Sequence, residues 1–359
     1  MTSLLSLNRR AKALGRLEHG CIGGGLAEIR PGLADGLHID RLCIVLASNG
    51  CDWYRQSGGC LMCNYPHKVP VSAMSRESLA ESLLSSLERQ LAAFPPRQPT
   101  ICIYNSGSFF SDEEIPPHTR VDILRIVAAR PAVRQIVVES RCNHIDAEKL
   151  DSALAALAGQ VRLSVGMGLE SISDVVRNRI LLKGTSLNTF EHAARLLKGR
   201  AGLIVYTLLG TPFLSERERL IDAKQTIAYA QALGTEELWV QACNVQPYSA
   251  IESLWEAGQF RTPWLWTLRS ALEYASDLGG LLVFAAGREG TPHPREVAHN
   301  CEYCTAAAWA AIEKFNETQD KDCLVFPRCQ CQRAWEEEMD KVPVLSVEER
   351  INRAMDMFS

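Results

Sequence analysis

The chain has 359 residues, 47% hydrophobic and 22% charged, with a net charge of −4. That composition suits a barrel-sized domain with an extension and excludes a disordered or fibrous protein. The mildly acidic balance also argues against non-specific nucleic-acid binding as the main task.

No apolar run reaches the roughly 18–20 residues of a membrane span. The N-terminal MTSLLSLNRRAKALGRLEHG lacks the apolar core of a signal peptide, so a cytoplasmic location is expected. Short apolar, β-branched runs at 42–46, 100–104, 136–138, 161–165, 203–208 and 238–240 predict six strands. Helical segments lie between them. Residues 75–94 place Leu79, Leu83, Leu84, Leu87 and Leu91 on one stripe, and Asp146 can cap a helix carrying Leu150, Leu154 and Leu157. Residues 188–197 and 216–233 continue the rhythm. Repeated βα units predict an α/β fold, a partial (βα)6 TIM-type barrel over 39–290. It is flanked by an N-terminal extension (1–38) and a Cys-rich C-terminal metal-binding extension (291–359). A doubly wound sheet is the rival, but no G-x-G-x-x-G follows the first predicted strand.

In such barrels the chemistry sits at the C-terminal strand ends. Those ends are polar here: SNGCDWYRQSGGCLMCNY, NSGSFF, Glu139-Ser140-Arg141, GMGLES, LLGTPFLSE, then Asn244 and Gln246. Trp255, Trp264 and Trp266 are read as packing a helix against the barrel.

Thirteen cysteines in a reducing compartment are not expected to form disulfides. Cys21, Cys43, Cys102, Cys142 and Cys243 are scattered and read as small buried hydrophobes. Cys51-x8-Cys60-x2-Cys63 follows the first predicted strand. Three thiolates on one loop can hold a [4Fe–4S] cluster with one iron open. Alternatively, His67 can complete a four-ligand zinc site. Gly58 and Gly59 let the backbone turn closely around a metal. Cys301-x2-Cys304 and Cys329-x-Cys331 form two pairs 24 residues apart. Four thiolates suit tetrahedral zinc, with a second cluster or unmetallated thiols as alternatives. His293, His299 and Cys323 are spare candidate ligands.

The segments CDWYRQSGGCLMCNY, NSGSFFSDEEIP, VVESR, GLESISDVVRNRILLKG, PFLSE, IESLWEAGQFRTPWLW, HNCEYC and CQCQRAW run in order over most of the chain. Together they resemble radical S-adenosylmethionine (SAM) enzymes of the branch related to the Elongator catalytic subunit. Within that branch the chain is similar to the archaeosine-forming radical SAM proteins. The cysteine spacing differs from the x3, x2 pattern commonest among radical SAM enzymes.

The resemblance implies a [4Fe–4S] cluster on Cys51, Cys60 and Cys63, with SAM on the open iron and Tyr65 over its adenine. It implies that Asn105, Ser106, Gly107 and Ser108 hold the SAM amino group. Glu170 would reach the ribose or carboxylate, with Arg141, Arg177 and Lys183 as candidate carboxylate partners. Glu139 and Asn244 would face SAM or the substrate. Zinc on Cys301, Cys304, Cys329 and Cys331 completes the metal expectations.

The implied partners are a flavodoxin- or ferredoxin-like electron donor and a small molecule or modified nucleobase; tRNA is compatible with the resemblance but not favoured by charge. The implied reaction is carbon–nitrogen bond cleavage. Two other readings are a specialised-metabolite enzyme transferring the 3-amino-3-carboxypropyl group of SAM, as in arsinothricin-type carbon–arsenic bond formation, and a structural zinc-binding module without enzyme activity.

Overall fold

The computed structural model describes residues 3–19, 25–34, 37–64, 74–290 and 292–358. A single curled, eight-stranded sheet runs in chain order: β1 (Leu26–Ala34), β2 (Leu37–Val45), β3 (Thr100–Tyr104), β4 (Gln135–Glu139), β5 (Arg162–Glu170), β6 (Gly202–Leu209), β7 (Glu237–Ala242) and β8 (Leu282–Ala286). The β1–β2 pair is antiparallel and every later pair is parallel. The partial barrel expected from sequence is β2–β7. Two further strands extend it. β1 carries Pro31 and Gly32, which mask its strand pattern and suit an edge. β8 is only five residues long.

The helices are α1 (Leu4–His19), α2 (Asp52–Ser57), α3 (Arg76–Ala92), α4 (Pro117–Ala128), α5 (Ala147–Leu157), α6 (Leu187–Leu197), α7 (Glu216–Ala232), α8 (Ala250–Glu256), α9 (Leu265–Leu278), α10 (Thr305–Thr318), α11 (Cys331–Asp340) and α12 (Val347–Asp356). Asp146 caps α5 as expected, accepting from Lys149 N at 2.8 Å. The predicted leucine stripe of α3 is inward: Leu79, Leu83, Leu87 and Leu91 are buried. Trp264 and Trp266 lie in the main core and Trp255 packs on a second cluster, consistent with the packing reading.

An open barrel leaves an unpaired strand edge, which must be covered. Here α10 covers β8. Gln319 exchanges two hydrogen bonds with the backbone of Val283 (2.7 and 2.8 Å), and Asn316 does the same for Ala285 (2.8 and 2.9 Å). Two side-chain amides thus stand in for a neighbouring strand. The N-terminal end of the barrel is closed by a buried bidentate ion pair, Arg41 to Glu237, at 2.8 and 2.9 Å. Trp239 Nε1 also donates to Glu237. Access is therefore left at the C-terminal strand ends. No helix among the described residues is long and apolar enough to cross a membrane.

Candidate active site

The cysteine loop leaves β2 at the barrel mouth. Cys51 is the N-cap of α2, and Gly58 ends that helix at φ 97°, a left-handed turn that favours glycine. The loop is tied to the segment after β5: Leu61 N donates to Leu181 O (2.9 Å) and Trp53 Nε1 donates to Leu182 O (2.9 Å). Burial foremost, and then the Glu114 charge, push the Cys51 thiol up to about 12. A metal must therefore displace a proton there. Among the described residues, Cys51 closes to within 4.8 Å of Asp52 and Glu114, but Cys60 and Cys63 do not join that group. The three cysteines are thus not drawn around a single ion. Tyr65, His67 and Cys21 lie outside the described residues.

The β3 loop folds around a carboxyl that sequence reasoning did not single out. Glu114 is fully buried and accepts from Asp52 N (2.9 Å), Asn105 Nδ2 (3.0 Å) and Ser108 N. One side chain thus joins the cysteine loop to the Asn105–Ser108 turn. Burial is the main cause holding Glu114 up to about 8. Gly107 is required at this point, because a Cβ would lie 1.8 Å from Glu114 Oε2. Neighbouring Asp52 is held well below the usual carboxylate range: burial works against this, but hydrogen bonds from His144 and Glu114 outweigh it. Glu114→Leu would orphan three buried donors, each costing about 1–3 kcal/mol. A lower denaturation midpoint is expected in urea, and an unchanged midpoint would show that the junction is dispensable.

β5 opens the barrel interior. Its alternating Gly166 and Gly168 carry no side chain: a Cβ at Gly166 would lie 2.8 Å from the Tyr206 ring, and one at Gly168 would lie 2.3 Å from Lys183 Nζ. Tyr206 hydrogen-bonds Glu139, whose carboxyl burial pushes up. Tyr104, Cys43 and Cys102 line the same interior. Glu170 ends β5 at φ 63° beside a register shift and pairs with Lys183 Nζ at 2.6 Å, both largely buried. Expected neighbours at the mouth are therefore brought together: Glu139, Glu170 and Lys183.

Arg177 requires a correction. It is 1% exposed, and its guanidinium donates to Thr185 O (2.7 Å), Ser171 O (2.9 Å), Ile172 O (3.1 Å) and Asp174 (2.9 Å). It braces the loop that carries Lys183 instead of facing a ligand. Arg141 braces the same loop, donating to Lys183 O (2.6 Å) while stacking on Trp53 with its guanidinium carbon 4.8 Å from the ring centre. At the end of β7, Asn64 donates to Gln246 (2.8 Å), Gln246 to Asn244 (3.0 Å) and Asn244 to Gly287 O (2.9 Å). That relay ties the residue after Cys63 to Asn244.

The second cysteine group closes tightly. Cys301 Sγ lies 3.6 Å from Cys304 and 3.4 Å from Cys329, and Cys304 lies 3.4 Å from Cys331. All four sulfurs fall within 4.8 Å of one another. The spare ligands are elsewhere: His299 contacts Thr262 and Val297 O, His293 contacts Pro294 O, and Cys323 contacts Thr318.

No protein-family model matches the sequence. Archaeosine synthase subunit beta of Methanosarcina acetivorans is 30% identical over 309 residues, covering 86% of this chain and 87% of that protein. The chain belongs to the archaeosine synthase subunit beta family. The Thermococcus kodakarensis protein of that name is 31% identical over 298 residues, covering 82% of this chain and 90% of its own length. The relatives are named as subunits of a synthase, so the chain belongs to a family of enzymes. Methylornithine synthase shares the fold over 78% of this chain and 70% of its own, with a TM-score of 0.50 and 12% identity.

Proposed function

We propose that this family member binds a [4Fe–4S] cluster through Cys51, Cys60 and Cys63 and cleaves SAM reductively, directing the radical at a carbon–nitrogen bond of a modified nucleobase or a related small molecule. The observation that carries this reading is the three-cysteine loop set over a barrel interior that is plugged at its base and polar at its mouth. A cluster held by Cys51, Cys60 and Cys63 would supply one-electron reduction of the SAM sulfonium, the chemistry that cleaves a carbon–sulfur bond.

The chain's own residues do the rest. The Asn105–Ser108 turn presents backbone and amide groups to the SAM amino group, and the buried Asn105 Oδ1 has no hydrogen-bond partner among the described residues. Lys183 offers its ammonium to the SAM carboxylate. Glu139, with Tyr206, and Asn244 face the substrate. Cys301, Cys304, Cys329 and Cys331 hold a structural zinc. The electron comes from a flavodoxin- or ferredoxin-like donor. The relatives' designation as a beta subunit supports a companion subunit, and their product's name supports a nucleobase substrate.

The deciding experiment incubates anaerobically reconstituted protein with SAM and a reductant and identifies the products by mass spectrometry. 5′-Deoxyadenosine and methionine are expected. Methylthioadenosine instead would mean that the other carbon–sulfur bond breaks, as in aminocarboxypropyl transfer.

Glu170→Gln offers a second test, of the β5 end. Glu170 accepts from ribose hydroxyls or the SAM ammonium, and a charge-assisted hydrogen bond is worth about 1.5–3 kcal/mol. SAM affinity is expected to fall about ten- to a hundredfold, at about 1.4 kcal/mol per factor of ten. The same change leaves the buried Lys183 ammonium unpaired, so stability falls too, by about 3–5 kcal/mol. The pair variant Glu170→Gln/Lys183→Met removes the unpaired charge and should regain stability, but it also removes the Lys183 contact to SAM, so affinity is read from Glu170→Gln alone. SAM titration showing unchanged affinity in Glu170→Gln would remove Glu170 from the site.

A further inference from the structure

The N-terminal helix carries a buried cation that the proposed chemistry does not yet use. Asn8 and Lys12 lie one turn apart on α1 and are 0% and 1% exposed. Asn8 Nδ2 donates to Gly58 O (3.1 Å) and Gly59 O (2.9 Å). Lys12 Nζ donates to Gly58 O (2.9 Å) and Cys60 O (2.6 Å). No carboxylate among the described residues pairs with Lys12. Lys183, also near the mouth, by contrast has a carboxylate partner in Glu170. Burying an unpaired ammonium is costly, and nearby anions must compensate it. Burial pulls the Lys12 pKa down, and the nearby Cys63, Cys60 and Cys51 sulfurs work against it; these are the groups on which a bound cluster would concentrate negative charge.

We propose that Lys12 is a positioning residue that holds the Gly58–Cys60 turn and, as a fixed buried charge, raises the reduction potential of the cluster. This rests on the reading that Cys51, Cys60 and Cys63 hold a [4Fe–4S] cluster. Reduction adds one negative charge to the cluster. A cation beside it in a low-dielectric setting stabilises the reduced form more than the oxidised form. Lys12 would thus make the electron from the external donor easier to accept. The carbonyl contacts alone would be a staple, and an uncharged donor could supply those.

The test compares wild type with Lys12→Arg, Lys12→Gln and Lys12→Met after anaerobic reconstitution. Iron is quantified, and the cluster midpoint is measured by redox titration followed by electron paramagnetic resonance. Lys12→Gln keeps a donor for the turn but removes the charge. Lys12→Met and Lys12→Gln should both shift the reduction equilibrium at least tenfold toward the oxidised form, which is about 59 mV for one electron. Lys12→Arg should stay within threefold of wild type. Midpoints in Lys12→Gln and Lys12→Met within twofold of wild type would overturn the proposal. So would loss of iron from Lys12→Gln, which would leave only a structural role. Failure of the underlying cluster reading is distinct: wild type itself would then show no cluster signal.

Discussion

Replacing Cys51, Cys60 and Cys63 together by Ala should remove about four irons per chain, together with the broad absorbance near ~400 nm of a thiolate-bound cluster. SAM cleavage should fall to the uncatalysed background. The expectation follows from how the loop is built. The three cysteines share one loop at the barrel mouth but do not converge on a single ion. The loop's shape does not depend on the sulfurs: Leu61 is held by Leu181 O and Trp53 by Leu182 O. The triple variant should therefore fold with little change in the melting temperature of the cluster-free protein. Because burial and Glu114 hold Cys51 as a thiol in the cluster-free chain, reconstitution of wild type should also release protons as the site fills. A triple variant that keeps the same iron and turnover would place the radical chemistry elsewhere.

The barrel was legible because its central strands are short, apolar and regularly spaced. All six predicted strands are present as β2–β7. What escaped was structure whose stabilisation is not periodic. β1 is an edge strand whose sequence pattern is interrupted by Pro31, and β8 owes its covered edge to Asn316 and Gln319 some 30 residues later. At the site, the cysteines announce themselves by spacing, whereas Glu114 does not. It lies between Glu113 and Ile115 in a run of acidic residues, and only the folded loop makes it the acceptor for Asp52, Asn105 and Ser108. Lys12 was hidden for the same reason, since a lysine in a basic N-terminal stretch reads as surface charge. Arg177 shows the opposite error. A guanidinium near a strand end suggests a carboxylate partner, but the backbone carbonyls of Ser171, Ile172 and Thr185, which flank the π-type turn at Val175–Ile180, claimed it first.

Removing the C-terminal metal site should cost stability while sparing SAM chemistry. A zinc held at Zn–S distances of about 2.3 Å in a tetrahedron needs sulfurs about 3.8 Å apart, and the observed 3.4–3.6 Å separations are close to that. Cys304 is the N-cap of α10 and Cys331 opens α11, so two sulfurs sit at the positive ends of helices, yet burial foremost pushes both thiols up, and zinc must displace protons there. The group joins α10, which covers the β8 edge, to α11, which is fastened to α9 by Trp335 Nε1 on Thr267 Oγ1 at 2.9 Å. Cys301→Ser/Cys304→Ser should therefore lose one zinc per chain and loosen both helices. For a free ion a thousandfold above its Kd, the lost stabilisation is about 4 kcal/mol. In a chain of this size that lowers Tm by roughly 5 °C, at about 1.3 °C per kcal/mol for an unfolding entropy of about 2.1 cal/mol/K per residue. At a temperature well below the new midpoint, the variant should still cleave SAM, because the first cysteine loop follows β2 and is tied to the segment after β5, whereas the four sulfurs group with α10 and α11. Elemental analysis of the wild type that finds no zinc, or a variant with unchanged Tm, would defeat the assignment. A second iron–sulfur signal that disappears with Cys301 and Cys304 would replace it with an auxiliary cluster.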